Sequence, residues 1–171
     1  MLGDPSYSRP PPPLSHPVDR WNQHSIAPLW RPGGWFMSES AILVVEDELL
    51  ILLDLETALQ DAGFLVVGVP SAEAAVKAFD EDPNKFAGLL TDIRLGSGET
   101  GWEVARHVRR SNPTLPVVYI SGDGAISWGS EGVPDSVMIV KPFFPPQIIT
   151  ALSTLLNQQH PTASNGGEPS P

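Results

Sequence analysis

The sequence predicts an α/β fold, a parallel five-stranded sheet with helices on both faces, and three observations carry that prediction. Short apolar runs rich in β-branched residues alternate with longer stretches of helical periodicity, five of each. The first run, Ala41–Val45, is unbroken by any polar residue, as a strand covered on both faces requires. Gly and Pro punctuate the junctions between the two patterns, and right-handed crossovers leave few topologies for such a chain.

Leu49 to Ala62 reads as the first helix, with Leu49, Leu52, Leu53, Leu55, Ala58 and Leu59 on its apolar side and Gly63 at its C-terminal cap. Leu65–Val69 is the second strand. Pro70-Ser71 opens a helix through Ala74, Ala75, Ala78 and Phe79, which stops before Pro83. Phe86 to Thr91 is the third strand. After a glycine-rich turn, Thr100 and Glu103 have capping-box spacing and open a helix through Val104, Ala105 and Val108. Pro116–Ile120 is the fourth strand. Gly122, Gly124, Gly129 and Gly132 crowd the segment after it, so its helix is expected to be short or irregular. Val137–Val140 is the fifth strand, and Pro145-Pro146 start a last helix carrying Ile148, Ile149, Leu152, Leu155 and Leu156.

At 171 residues the chain has room for one ordinary domain with tails. Residues 1–37 read as a disordered Pro-rich extension and 158–171 as a disordered tail, leaving 38–157 as the domain. The extension holds Trp21, Trp30 and Trp35, which fits a docking peptide; the simpler expectation is that translation starts at Met37. The net charge is −10, and the acid belongs to the domain, because up to Met37 the charges are Arg9, Arg20 and Arg31 against Asp4 and Asp19. Such a surface repels phosphate backbones and argues against nucleic-acid binding. No apolar run approaches membrane-spanning length. The absence of cysteine excludes disulfides, thiolate metal sites and a Cys nucleophile, and fits a cytoplasmic setting. The four histidines lack metal-ligand spacing, and there is no P-loop.

In parallel α/β sheets function gathers beyond the carboxyl ends of the strands. There this chain places Glu46, Asp47 and Glu48 after the first strand, Asp92 after the third, Ser121 after the fourth and Lys141-Pro142 after the fifth. Each has a bland alternative: a helix cap, a turn, a solvated amine. Together at four strand ends they are hard to explain as coincidence. Crowded carboxylates repel, and a hard divalent cation with oxygen ligands relieves them, Mg²⁺ (or Mn²⁺) being the natural choice. One carboxylate beside the ion can attack a phosphoryl donor, while an ammonium and the cation neutralise its equatorial oxygens. The product is an aspartyl phosphate.

The segments VVEDE at 44–48, LTDIRL at 90–95, VYISG at 118–122 and KPF at 141–143 resemble the four signatures of response-regulator receiver domains of two-component systems. The resemblance spans about residues 40–157 and implies the flavodoxin-like, doubly wound strand order 2-1-3-4-5. By position, it implies Asp92 as phospho-acceptor, Asp47 as direct metal ligand, Glu46 holding the ion through water, and the Arg94 backbone carbonyl as a further ligand. It implies Lys141 as the phosphoryl-contacting lysine, a cis Lys141–Pro142 bond and Ser121 as the switch hydroxyl.

Two features depart from the pattern. Met138 stands three residues before the lysine, where the family often has an inward-turning aromatic, so the switch is expected to be read out differently or more weakly. The loop 95–101 lacks the frequent Met-Pro. Arg94 and Asp123 flank the acceptor and the serine by two positions each; they are expected either to pair across the pocket and slow the hydrolysing water, or to be merely solvated.

The expected function is a stand-alone receiver, phosphorylated by a sensor histidine kinase or histidine phosphotransfer protein, with slow autodephosphorylation and no other enzymatic activity. With no room for an output domain after Asn157, output is expected through a downstream protein or a relay. Ile126, Trp128 and Met138 are expected on the reading surface, by family analogy. The alternatives are a pseudo-receiver that only binds, disfavoured by Asp47, Asp92, Ser121 and Lys141, and an aspartyl-phosphate phosphatase, which wants Asp-x-Asp where this chain has Glu46-Asp47-Glu48.

Overall fold

The computed structural model describes residues 40–96, 98–122 and 126–159. The elements are β1 (Ala41–Val45), α1 (Leu49–Asp61), β2 (Leu65–Val69), α2 (Ala72–Glu81), β3 (Phe86–Asp92), α3 (Gly101–Ser111), β4 (Val117–Ser121), α4 (Trp128–Glu131), β5 (Val137–Val140) and α5 (Pro145–Gln159). All strand pairs are parallel, in the order β2-β1-β3-β4-β5. The predicted α/β class and the doubly wound order are both present.

Alternation along the strands divides the core in two. Leu43, Val45, Leu89, Val117 and Tyr119 face Phe79 of α2 and Val104 and Val108 of α3. Ile42, Val44, Leu90, Val118 and Ile120 face Leu52, Leu55 and Leu59 of α1 and Ile148 and Leu152 of α5. Every residue of β1 is buried, because helices cover both faces.

Local signals close the elements. The Ser71 side chain caps α2 by accepting the Ala74 N–H at 3.2 Å. Asp82 then accepts the Asn84 N–H at 3.2 Å in a single 3₁₀ turn over Pro83–Lys85. At α3 the Glu103 carboxylate accepts the Thr100 N–H at 2.7 Å and its hydroxyl at 3.1 Å. The first of these bonds, on the backbone amide, holds the Glu103 carboxyl below its ordinary value. The helix after β4 is one turn long, in keeping with its glycines.

The expected face of α1 and the expected limits of the third and fourth strands need correction. Leu49 and Leu53, assigned to the apolar side of α1, are exposed, because the buried stripe runs through Leu52, Leu55 and Leu59 and both positions rotate off it. The third strand extends through Asp92, so the candidate acceptor is the last strand residue, and the fourth runs Val117–Ser121 rather than Pro116–Ile120, so Ser121 likewise ends its strand. Helix α5 runs to Gln159: Gln158 and Gln159 are good helix formers with no breaker before Pro161, and the Gln159 side-chain amide donates to the Thr114 carbonyl. The extension, the rest of the tail and Asp123 lie outside the described residues. Among those described, no helix is long and apolar enough to cross a membrane.

Candidate functional site

The sheet order places β1 and β3 side by side at its centre, so residues at their carboxyl ends become neighbours. Glu46 follows β1 and is fully buried; Asp92 ends β3 at 6% exposure, while Asp47 faces solvent. One carboxylate oxygen from each lies within 4.8 Å of the others.

Lys141, directly after β5, reaches back across the site. Its Nζ donates to Glu46 Oε2 at 3.0 Å and to Asp92 Oδ2. Burial pushes the Glu46 carboxyl above its ordinary value, against the pull of the Lys141 hydrogen bond. Burial acts to lower the Lys141 ammonium, but its bonds to Asp92 and Glu46 outweigh it and leave the group above its ordinary value. The Lys141–Pro142 peptide is cis.

Three carboxylates against one ammonium leave an excess of two negative charges when all are ionised. Hard cations take oxygen ligands at about 2.0–2.6 Å, so one ion can bridge oxygens this close. Charge and spacing therefore both fit a divalent cation held by Glu46, Asp47 and Asp92.

The remaining predicted residues fall around this group. Ser121 is buried at the end of β4, where its carbonyl accepts the Lys141 N–H at 2.8 Å. The Arg94 backbone N–H donates to Asp92 Oδ1 at 3.0 Å, so the first turn after β3 folds back onto the carboxylate. Buried Ile93 and Leu95 tack that turn to the core, and Gly96 (φ 68°) passes beside Asp47. Met138 lies on the α2/α3 face, half-buried against its core. Ile126 is 96% exposed, and Trp128 donates to Ser136 Oγ at 3.1 Å.

Residues that sequence reasoning passed over complete the surroundings. Tyr119, the register partner of Met138, is fully buried; its ring lies 4.3 Å from that of Trp102 and its hydroxyl accepts the Val133 N–H at 3.2 Å. The aromatic beside Met138 thus comes from β4. Thr91 is fully buried and donates to the Asp92 carbonyl, and Gly101 packs against the same carbonyl. A polar residue inside the apolar run of β3 was the available signal for Thr91.

Comparison with known proteins agrees with this architecture. The family model described as "Response regulator receiver domain" matches residues 42–153. The response regulator receiver protein CpdR of Brucella abortus is 29% identical over 117 residues, covering 67% of this chain and 95% of CpdR. The phyllosphere-induced regulator PhyR of Methylorubrum extorquens is 27% identical over 115 residues; the match covers 67% of this chain but only 43% of PhyR. A solved response regulator receiver protein from Sinorhizobium medicae is 47% identical, with a TM-score of 0.67, covering 69% of this chain and 94% of the other. From the strand order, the site at its centre and these matches together, the chain belongs to the response regulator receiver domain family.

Proposed function

We propose that this protein accepts a phosphoryl group on Asp92 from a histidine kinase or histidine phosphotransfer protein, in a reaction dependent on Mg²⁺ or Mn²⁺. The observation that carries the reading is Lys141 Nζ bonded to both Glu46 and Asp92, with Asp47 at the exposed side of the same cluster.

Asp92 offers a carboxylate oxygen to phosphorus as the P–N bond to the donor imidazole breaks. The bond's electron pair leaves with the imidazole, and a P–O bond forms the acyl phosphate. The Lys141 ammonium, already beside Asp92 Oδ2, is placed to neutralise a phosphoryl oxygen. The Arg94 N–H orients the acceptor through Oδ1. When bound by Glu46, Asp47, Asp92 and the Arg94 carbonyl, the divalent cation supplies the charge neutralisation that lets two anions meet. Ser121 is the hydroxyl that follows the phosphoryl group. Hydrolysis reverses the connection, with water attacking phosphorus and the Asp92 carboxylate leaving.

The receiver unit is assigned to residues 38–157 and signals through a partner protein or a relay. A cytoplasmic setting fits a chain without cysteine. Met138 in place of an aromatic leaves the response to be read through the packing around Tyr119. Arg94 and Asp123 are candidates for slowing hydrolysis.

Incubation with acetyl phosphate and Mg²⁺, followed by intact mass, tests the reading. A receiver gains one phosphate. No gain and no consumption of the donor identifies a binding-only module, and rapid turnover of the donor with no phosphorylated protein accumulating identifies a phosphatase; either result contradicts the proposal.

A further inference from the structure

We propose that Thr91 is a positioning residue for phosphoryl acceptance, its hydroxyl clamping the Asp92 carbonyl so that the carboxylate points into the site. The proposal rests on the reading of Asp92 as acceptor.

Thr91 has no exposure to solvent, and its register partners Val45 and Tyr119 are equally buried. A hydroxyl in such surroundings is costly unless it is hydrogen-bonded. Thr91 Oγ1 donates to the Asp92 carbonyl at 2.7 Å. Valine has the same shape and is the common residue of this sheet; what threonine adds at this position is that one bond.

The carbonyl it holds belongs to the peptide plane on which the chain leaves β3. In that same plane the Ile93 N–H donates to the Ile120 carbonyl, and one residue on the Arg94 N–H returns to Asp92 Oδ1, each at 3.0 Å. The start of α3 closes the clamp from the other side: the Gly101 N–H donates to the Ile93 carbonyl at 3.0 Å. A Cβ on Gly101 would sit 2.0 Å from the Asp92 carbonyl oxygen and 2.7 Å from Thr91 Oγ1. Only a residue without a side chain allows this approach.

In-line phosphoryl transfer depends on the direction of the attacking oxygen, and a displacement of about 1 Å can cost roughly a hundredfold in rate. With the carbonyl released, the plane is held only at its Ile93 N–H, and pivoting about that bond carries the Arg94 N–H away from the carboxylate. The Asp92 carboxylate, with its bond to Lys141, then loses its fixed approach.

The test compares wild type, Thr91→Val and Thr91→Ser, by the rate of mass gain across acetyl phosphate concentrations at saturating Mg²⁺ and by urea unfolding. Thr91→Val is expected to slow the maximal rate by about tenfold or more, with the half-saturating donor concentration unchanged. Thr91→Ser, which keeps the hydroxyl but loses a methyl, is expected to stay within about twofold of the wild-type rate while unfolding at lower urea. Wild-type speed in Thr91→Val overturns the proposal, as does a tenfold loss in Thr91→Ser, or rates that follow stability across the series. A wild type that takes up no phosphate overturns instead the reading of Asp92, and the positioning role with it.

Discussion

Lys141 and Glu46 meet at 3.0 Å although 95 positions separate them in the chain. The bond crosses two intervening strands and joins the two ends of the site, with Asp92 held between as the ammonium's second partner. It places one positive charge among three carboxylates, and the remaining imbalance is the physical basis for the proposed cation site.

Millimolar Mg²⁺ is therefore expected to raise the thermal midpoint, by an amount growing as RT ln(1 + [Mg²⁺]/Kd), and chelation is expected to reverse it. Asp47→Asn removes an exposed carboxylate with little packing cost and relieves repulsion, so its cation-free midpoint should be no lower than that of wild type and most of the shift should be lost. Differential scanning fluorimetry with and without chelator checks both; an undiminished shift in Asp47→Asn contradicts the assignment.

Tyr119 ties β4 to the segment before β5 through its bond with the Val133 N–H. Tyr119→Phe leaves that buried amide without its partner and is expected to cost about 1–3 kcal/mol in urea unfolding at neutral pH. Burial holds the phenol above its ordinary value near 10. Its proton is thus bound more tightly in the folded state, and the stability this contributes is full below the unfolded value. It is lost as pH rises through the folded value. Wild type should therefore lose more stability than Tyr119→Phe above pH 10.

The orientation of α1 has its own pair of tests. Leu59 is 1% exposed and Leu53 is 48% exposed. Leu59→Ala should cost about 2–5 kcal/mol by cavity formation, and Leu53→Ala should change stability by no more than about 0.5 kcal/mol. Equal costs would mean that the helix presents a different face.

Gly101→Ala drives a Cβ into the Asp92 carbonyl, a backbone atom that cannot swing aside. The expected cost is about 1–3 kcal/mol or more, measured by urea unfolding. A variant as stable as wild type would show that α3 does not press on the acceptor's backbone.

Much of this arrangement was legible in the sequence. Element order followed from periodicity, because helices on both faces force apolar strands while the helices keep a polar side. Glu46, Asp47, Asp92 and Lys141 could be placed together because strand ends in a parallel sheet share one edge. The inward leucines of α1 were not legible: six apolar positions are more than one stripe needs, and packing against the sheet and α5 selects Leu52, Leu55 and Leu59. Tyr119 looked like one more apolar strand residue, since a phenol's partner, here Val133, is set by a distant turn. The end of α5 is not legible in the sequence, because glutamine is common both in helices and in polar tails.

The central claim is that Asp92 carries the phosphoryl group. After phosphorylation with acetyl phosphate, borohydride reduction converts an aspartyl phosphate to homoserine, which peptide mass spectrometry locates by residue. The account predicts homoserine at position 92 in wild type and none in Asp92→Asn. Homoserine at Asp47 or another aspartate, or undiminished elsewhere in Asp92→Asn, would contradict it.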